Sequence, residues 1–184
     1  MTAPVLIIPG LGNSGSEHWQ SRWQALHPEF QRLQQRDWDQ PRYADWRQAL
    51  EQALEQALEQ AVAAAAQPPV LVAHSLGCLL VAHWARETRQ PVKAALLVAP
   101  PDLENPACPQ DAQGFAPLPT APLPFPSTLV ASRDDPYGDI VFAARCAALW
   151  GSRFVDAGYC GHINADSSLG DWPRGLELLD QLRG

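Results

Sequence analysis

A doubly wound, mostly parallel α/β sheet is the fold class this sequence predicts, and three observations predict it. Short, continuous apolar runs at residues 5–8, 70–73, 92–99 and 128–132 alternate with stretches of helical period, as strands covered by crossover helices require. One of these runs passes straight into a helix through Ala73-His74-Ser75-Leu76-Gly77, with no loop between them. The length, 184 residues of which 46% are hydrophobic, suits one compact domain over residues 1–184 with a sizeable core and little room for a second.

Residues 5–8 (Val-Leu-Ile-Ile) end at Pro9-Gly10, a buried strand followed by a loop. Residues 17–26 carry Trp19, Trp23 and Leu26 at i, i+4 and i+7, the spacing of one helical face. A polar stretch at 30–38 reads as a weak strand near a sheet edge. Residues 43–67 form the clearest helix, with Leu50, Leu54, Leu58 and Val62 four apart, until Pro68-Pro69 stops it. The heptad alternation of a coiled coil is absent from that stretch. After the strand at 70–73 come a helix at 76–87, a strand at 92–99, a strand at 128–132, a helix at 140–150, a short strand at 154–155 and a closing helix at 172–182. Between positions 100 and 126 lie nine of the chain's 18 prolines. That stretch cannot be regular helix or central strand, and its length points to a functional rim rather than a plain connection.

Composition removes several function classes. A formal net charge of −7 opposes binding to nucleic-acid backbones, which calls for a basic footprint. No apolar run is long enough to span a membrane, and no leader-like segment opens the chain, so a cytoplasmic protein is expected. The four cysteines are scattered without metal-like spacing and read as reduced packing residues.

The chemistry concentrates at three places. A sharp strand-to-helix turn at Ser75 lifts its hydroxyl above the carboxyl edge of the sheet and aims the first helical N–H groups at any charge developing beside it. Small residues are needed two positions either side of the serine. Gly77 meets that need, and Ala73 stands where glycine is more usual. A serine hydroxyl is a poor nucleophile until a base takes its proton. His162 lies after the last strand, in Gly161-His162, where a loop returns to the same sheet edge. The acid that would orient it belongs between the two, and the strand at 128–132 runs into Asp134-Asp135-Pro136. Asp135, leading into the proline, is favoured over Asp134. Of the other histidines, His74 is expected to point away behind the turn, His83 to pack, and His27 to be exposed.

An oxyanion would be met by the backbone N–H of Leu76 and by a second donor from the glycine-rich loop Gly10-Leu11-Gly12-Asn13-Ser14-Gly15. That loop also fits a dinucleotide-binding glycine spacing, but no acidic partner closes a convincing strand downstream. Phe115, Leu118, Leu123 and Phe125 of the proline-rich stretch are expected to shape an apolar pocket.

These residues, together with His18-Trp19 and Trp23, resemble the small single-domain α/β hydrolases typified by retinoblastoma-binding protein nine, in order from one end of the chain to the other. The resemblance implies an α/β-hydrolase fold without an inserted lid domain and a Ser75–His162–Asp135 triad. It also implies a loop near Leu11 in the oxyanion hole, and His18 and Trp19 beside a pocket that Asn13 would also line. The reaction expected is hydrolysis of a small-molecule ester, thioester or amide through an acyl-enzyme, with no metal and no organic cofactor. A protein-interaction module on the same fold and an acyltransferase with the same triad are the alternatives.

Overall fold

Within the computed structural model, residues 2–109 and 111–184 are described. Six strands form one sheet: β1 (Val5–Ile8), β2 (Gln31–Arg32), β3 (Val70–His74), β4 (Ala94–Val98), β5 (Ser127–Ala131) and β6 (Arg153–Asp156). Their order is β2-β1-β3-β4-β5-β6, and every pairing is parallel. The helices are α1 (Trp19–Leu26), α2 (Tyr43–Ala63), α3 (Leu76–Trp84), α4 (Ile140–Trp150) and α5 (Pro173–Arg183).

Alternation along the strands divides the core into two layers. Leu6, Ile8, Leu71, Ala73, Ala95, Leu97, Leu129 and Ala131 face α2, α3 and α4. Val5, Ile7, Val70, Val72, Ala94, Leu96, Val98 and Val130 face α1 and α5, which add Trp19 and Trp23 from α1, Leu178 and Leu179 from α5, and Trp172 at the start of α5. Both faces are thus covered, which is why the central strands read as unbroken apolar runs.

Two apolar patterns drift out of the core. On α2 a spacing of four residues advances about 40° per step around a 3.6-residue helix. Leu50 and Leu54 are buried, Leu58 is half-buried, and Val62 is 79% exposed, while Ala57 and Ala61 take over the inner face. Helix α2 also ends earlier than position 67. Ala65 turns to φ +51°, and the N–H groups of Ala65 and Ala66 cap the carbonyls of Val62 and Ala61. On α1, Trp19 and Trp23 are buried but Leu26 is 54% exposed.

The chain runs from β1 outward to β2, then crosses back to β3 on the other side of β1. In an open α/β sheet the crevice beyond the carboxyl ends of strands at such a reversal is where ligands bind. Here it lies between β1 and β3.

Candidate active site

Ser75 occupies that position, between the last residue of β3 and the first of α3. Its backbone has φ 53° and ψ −125°, a strained conformation for a residue with a side chain. Tight packing beneath the turn holds it there. A Cβ on Gly77 would lie 2.6 Å from the Ile8 carbonyl oxygen, and one on Gly10 would lie 2.9 Å from Ser75 Cβ and 3.1 Å from the Leu76 nitrogen. Glycine at both positions therefore lets the loop after β1 sit against the serine turn.

The Ser75 hydroxyl lies 2.9 Å from His162 Nε2. On the other side of the ring, Nδ1 lies 2.8 Å from Asp135 Oδ2 and 2.9 Å from Oδ1. Asp135 is buried and also accepts the Tyr137 N–H at 2.9 Å. A carboxylate that accepts from Nδ1–H leaves the Nε2 lone pair facing the hydroxyl, the tautomer a base requires. The adjacent Asp134 does something else. Its Oδ1 accepts from the Ser132 hydroxyl at 2.7 Å and from the Gly161 N–H at 2.9 Å, and these bonds hold its carboxyl below the usual carboxylate range.

The loop carrying His162 is fixed at four consecutive residues. The Cys160 N–H donates to Ser132 Oγ and the Gly161 N–H to Asp134. His74 Nε2 donates to the His162 carbonyl at 2.9 Å, and Trp19 Nε1 donates to the Ile163 carbonyl at 2.8 Å. Gly161 and Ile163 have φ of 54° and 48°, so a β-branched residue is kept in the left-handed region by this clamp.

On the opposite wall, the loop after β1 is tied down by Gln20 and Arg32. Ser14 Oγ donates to Gln20 Oε1 at 2.6 Å, and Gln20 Nε2 reaches the carbonyl oxygens of Val72, midway along β3, and Ile8, at the end of β1. Arg32 bonds Asn13 Oδ1, the Ser14 carbonyl and Ser21 Oγ.

Between these walls is a cleft of about 280 Å³. Leu11, Asn13, His18, Ser75, Leu76 and His162 line it, with Pro101, Leu103, Cys108, Pro109 and Ala112 from the proline-rich stretch. That stretch carries no helix among its described residues. Five of the residues expected at the pocket are elsewhere, Leu118 and Leu123 among them, both packed against the core layer of α2, α3 and α4. Trp19 is sealed in the core between Trp23 and Trp172, with only its indole N–H reaching toward the site. Phe115 packs on Tyr43 and Trp46 behind the sheet edge, and Phe125 joins the same core layer. Both are too apolar to stay on an open rim when core is within reach. His74, expected to point away, instead lines the cleft and supports His162. Gln20 and Arg32 were the residues sequence reasoning did not find, since nothing in their local pattern separates them from surface polar residues.

A parallel sheet whose strand-to-helix turn presents a serine to a histidine and a carboxylate defines the α/β hydrolases as a class. The chain belongs to the serine hydrolase family, whose sequence profile it matches over residues 5–181. It is similar in structure to a YdeN-like hydrolase of Pectobacterium atrosepticum, with 31% identity and a TM-score of 0.83, covering 98% of this chain and 90% of that one. The ydeN gene product of B. subtilis is 21% identical with a TM-score of 0.75, and coverage is 98% of both chains. An esterase from Thermogutta terrifontis is 16% identical with a TM-score of 0.68, covering 99% and 91%. The last two likenesses speak to the fold alone. No curated protein matches the chain. No helix among the described residues is long and apolar enough to cross a membrane.

Proposed function

We propose that this hydrolase cleaves a small ester, thioester or amide through an acyl-enzyme on Ser75. The observation that carries the reading is the unbroken relay from Ser75 Oγ through His162 to Asp135, at 2.9 and 2.8 Å. Ser75 Oγ attacks the carbonyl carbon while its proton passes to His162 Nε2. The oxyanion that forms is met by the backbone N–H groups of Leu76 and Leu11, both at the cleft. His162 then protonates the leaving oxygen, sulfur or nitrogen, the bond to it breaks, and the acyl group stays on Ser75. A water attacks next, gives its proton to His162, and the acid departs as the proton returns to Ser75. Asp135 holds the tautomer and offsets the imidazolium charge throughout.

Within the serine hydrolases, the order of its motifs groups the chain with the small lid-less members typified by retinoblastoma-binding protein nine, as one domain acting on small molecules.

A fluorophosphonate probe tests for the activated serine without knowledge of the substrate. Stoichiometric labelling of the wild type, lost in a folded Ser75→Ala variant, is the expected result. Labelling that persists in that variant would remove Ser75 from the role.

A further inference from the structure

His18 stands at the cleft with a donor that no group among the described residues satisfies. Its side chain caps α1: Nδ1 accepts the Gln20 N–H at 3.2 Å. An acceptor nitrogen is unprotonated, so the hydrogen of the neutral ring sits on Nε2. That Nε2–H is buried and has no hydrogen-bond partner among the described residues, in a residue only 4% exposed. His18 lines the cleft, and its Nδ1 edge is the one engaged by the helix. The ring meets His74 edge-on at 4.6 Å, and His74 meets His162 at 4.9 Å, so the donor lies within two rings of the base.

The surroundings also set the charge. Burial first, then the charges of Arg32 and His162, push the His18 pKa down to about 3, so the ring is a neutral donor at working pH. A positive field from Arg32 favours an electron-rich group there and disfavours a cation. A buried donor without an acceptor is costly, and a site built around one discriminates strongly against ligands that cannot accept.

We infer that His18 Nε2–H is a specificity-determining donor, and that the substrate carries an acceptor oxygen next to its scissile carbonyl besides the carbonyl itself. The inference deepens the esterase reading and rests on it. The oxygen could stand on the acyl side or the alcohol side of the ester, and the same chemistry serves both.

The test uses two pairs matched in shape: p-nitrophenyl methoxyacetate against butyrate, and 2-methoxyethyl acetate against butyl acetate. Each kcat/KM is divided by the ester's hydroxide-catalysed rate to remove intrinsic reactivity. The wild type is expected to favour the oxygen-bearing member of one pair by about tenfold or more. His18→Asn, which keeps a good cap for the Gln20 N–H but cannot extend a donor to the same place, should bring that ratio close to one. A purely structural role would lower both members together and leave the ratio intact. Wild-type turnover without preference in either pair, or a preference that survives in His18→Asn, overturns the inference and leaves Ser75 chemistry standing. No wild-type turnover of any of the four esters overturns the esterase reading and this inference with it. Should His18→Asn not fold, NMR on the wild type decides. Methoxyacetate or 2-methoxyethanol should shift the His18 Nε2–H resonance where butyrate and butanol do not, and equal behaviour overturns the inference.

Discussion

Trp19 Nε1 donates a 2.8 Å hydrogen bond to the carbonyl of Ile163, the residue that follows His162. A tryptophan from the first helix thereby sets the backbone of the last catalytic loop. The bond spans almost the whole chain, and it couples the packing of Trp19, Trp23 and Trp172 to the aim of the imidazole.

Replacing Trp19 by phenylalanine keeps much of the aromatic packing and leaves the Ile163 carbonyl buried without its donor. A stability loss of about 1–3 kcal/mol is expected, from desolvation of an unpaired acceptor. Urea denaturation measures it. Fluorophosphonate labelling of Ser75 should slow in the same variant at temperatures where it remains folded. Labelling at the wild-type rate would show that the loop keeps its geometry without the bond.

The two adjacent aspartates should separate clearly. Asp135→Asn disturbs the tautomer of His162, an effect of about 10⁴ in kcat where it has been dissected in serine proteases. Asp134→Asn acts on the Ser132 hydroxyl and on the backbone N–H groups of Gly161 and Cys160, and should cost far less. Steady-state kinetics on a p-nitrophenyl ester make the comparison. Equal losses would mean that both carboxylates act on the imidazole.

Stability should fall as the medium becomes mildly acidic. His18 is held down to about 3 and His74 well below its ordinary 6.5, in each case mainly by burial. Below pH 6.5 the unfolded chain protonates both rings while the folded protein protonates neither. Proton uptake thus accompanies unfolding, and stability is lost as pH drops from there toward the folded values. Between pH 7 and pH 5 the His18 ring accounts for about 2 kcal/mol, and His74 adds a loss of the same sign. Urea midpoints across that range test the slope, and His18→Asn should make it shallower by about one proton. A flat profile would contradict the neutral, buried state of these rings.

A cleft of about 280 Å³ suits a short acyl chain. Each further CH₂ gains about 0.8 kcal/mol only where the pocket can enclose it. Across p-nitrophenyl acetate, butyrate, octanoate and palmitate, kcat/KM is expected to peak at acetate or butyrate. Ala112→Phe at the cleft wall should move the peak toward acetate. Phe125→Ala should cost about 3 kcal/mol of stability and leave the profile in place. A steady rise through palmitate would show a deep acyl channel.

The fold was legible because β1, β3, β4 and β5 are buried on both faces and so read as continuous apolar runs. Ser75 and His162 were legible because their loops interrupt that pattern at the same sheet edge. What the sequence could not convey was direction. Phe115 and Trp19 are apolar residues in loop-like or amphipathic surroundings, and only the packing decides whether they face a cleft or a core. The same holds for His74, whose neighbour is the nucleophile. Its ring could turn behind the turn or along the cleft with no change in local spacing. Gln20 is harder still, since a glutamine on an amphipathic helix is ordinarily solvated. Its burial depends on three partners outside its own helix: Ser14, Ile8 and Val72.

The central claim, a covalent acyl group on Ser75, is tested most directly by acid-quenching the enzyme during turnover of p-nitrophenyl acetate and measuring intact mass, followed by peptide mapping. With so reactive an ester, deacylation limits the rate, and a burst of p-nitrophenol accompanies the intermediate. One acetyl group per chain is expected, located on Ser75, with no adduct in Ser75→Ala. Continued turnover by the wild type with no acetyl on Ser75, or with the acetyl on Cys108 or a histidine instead, would contradict that claim.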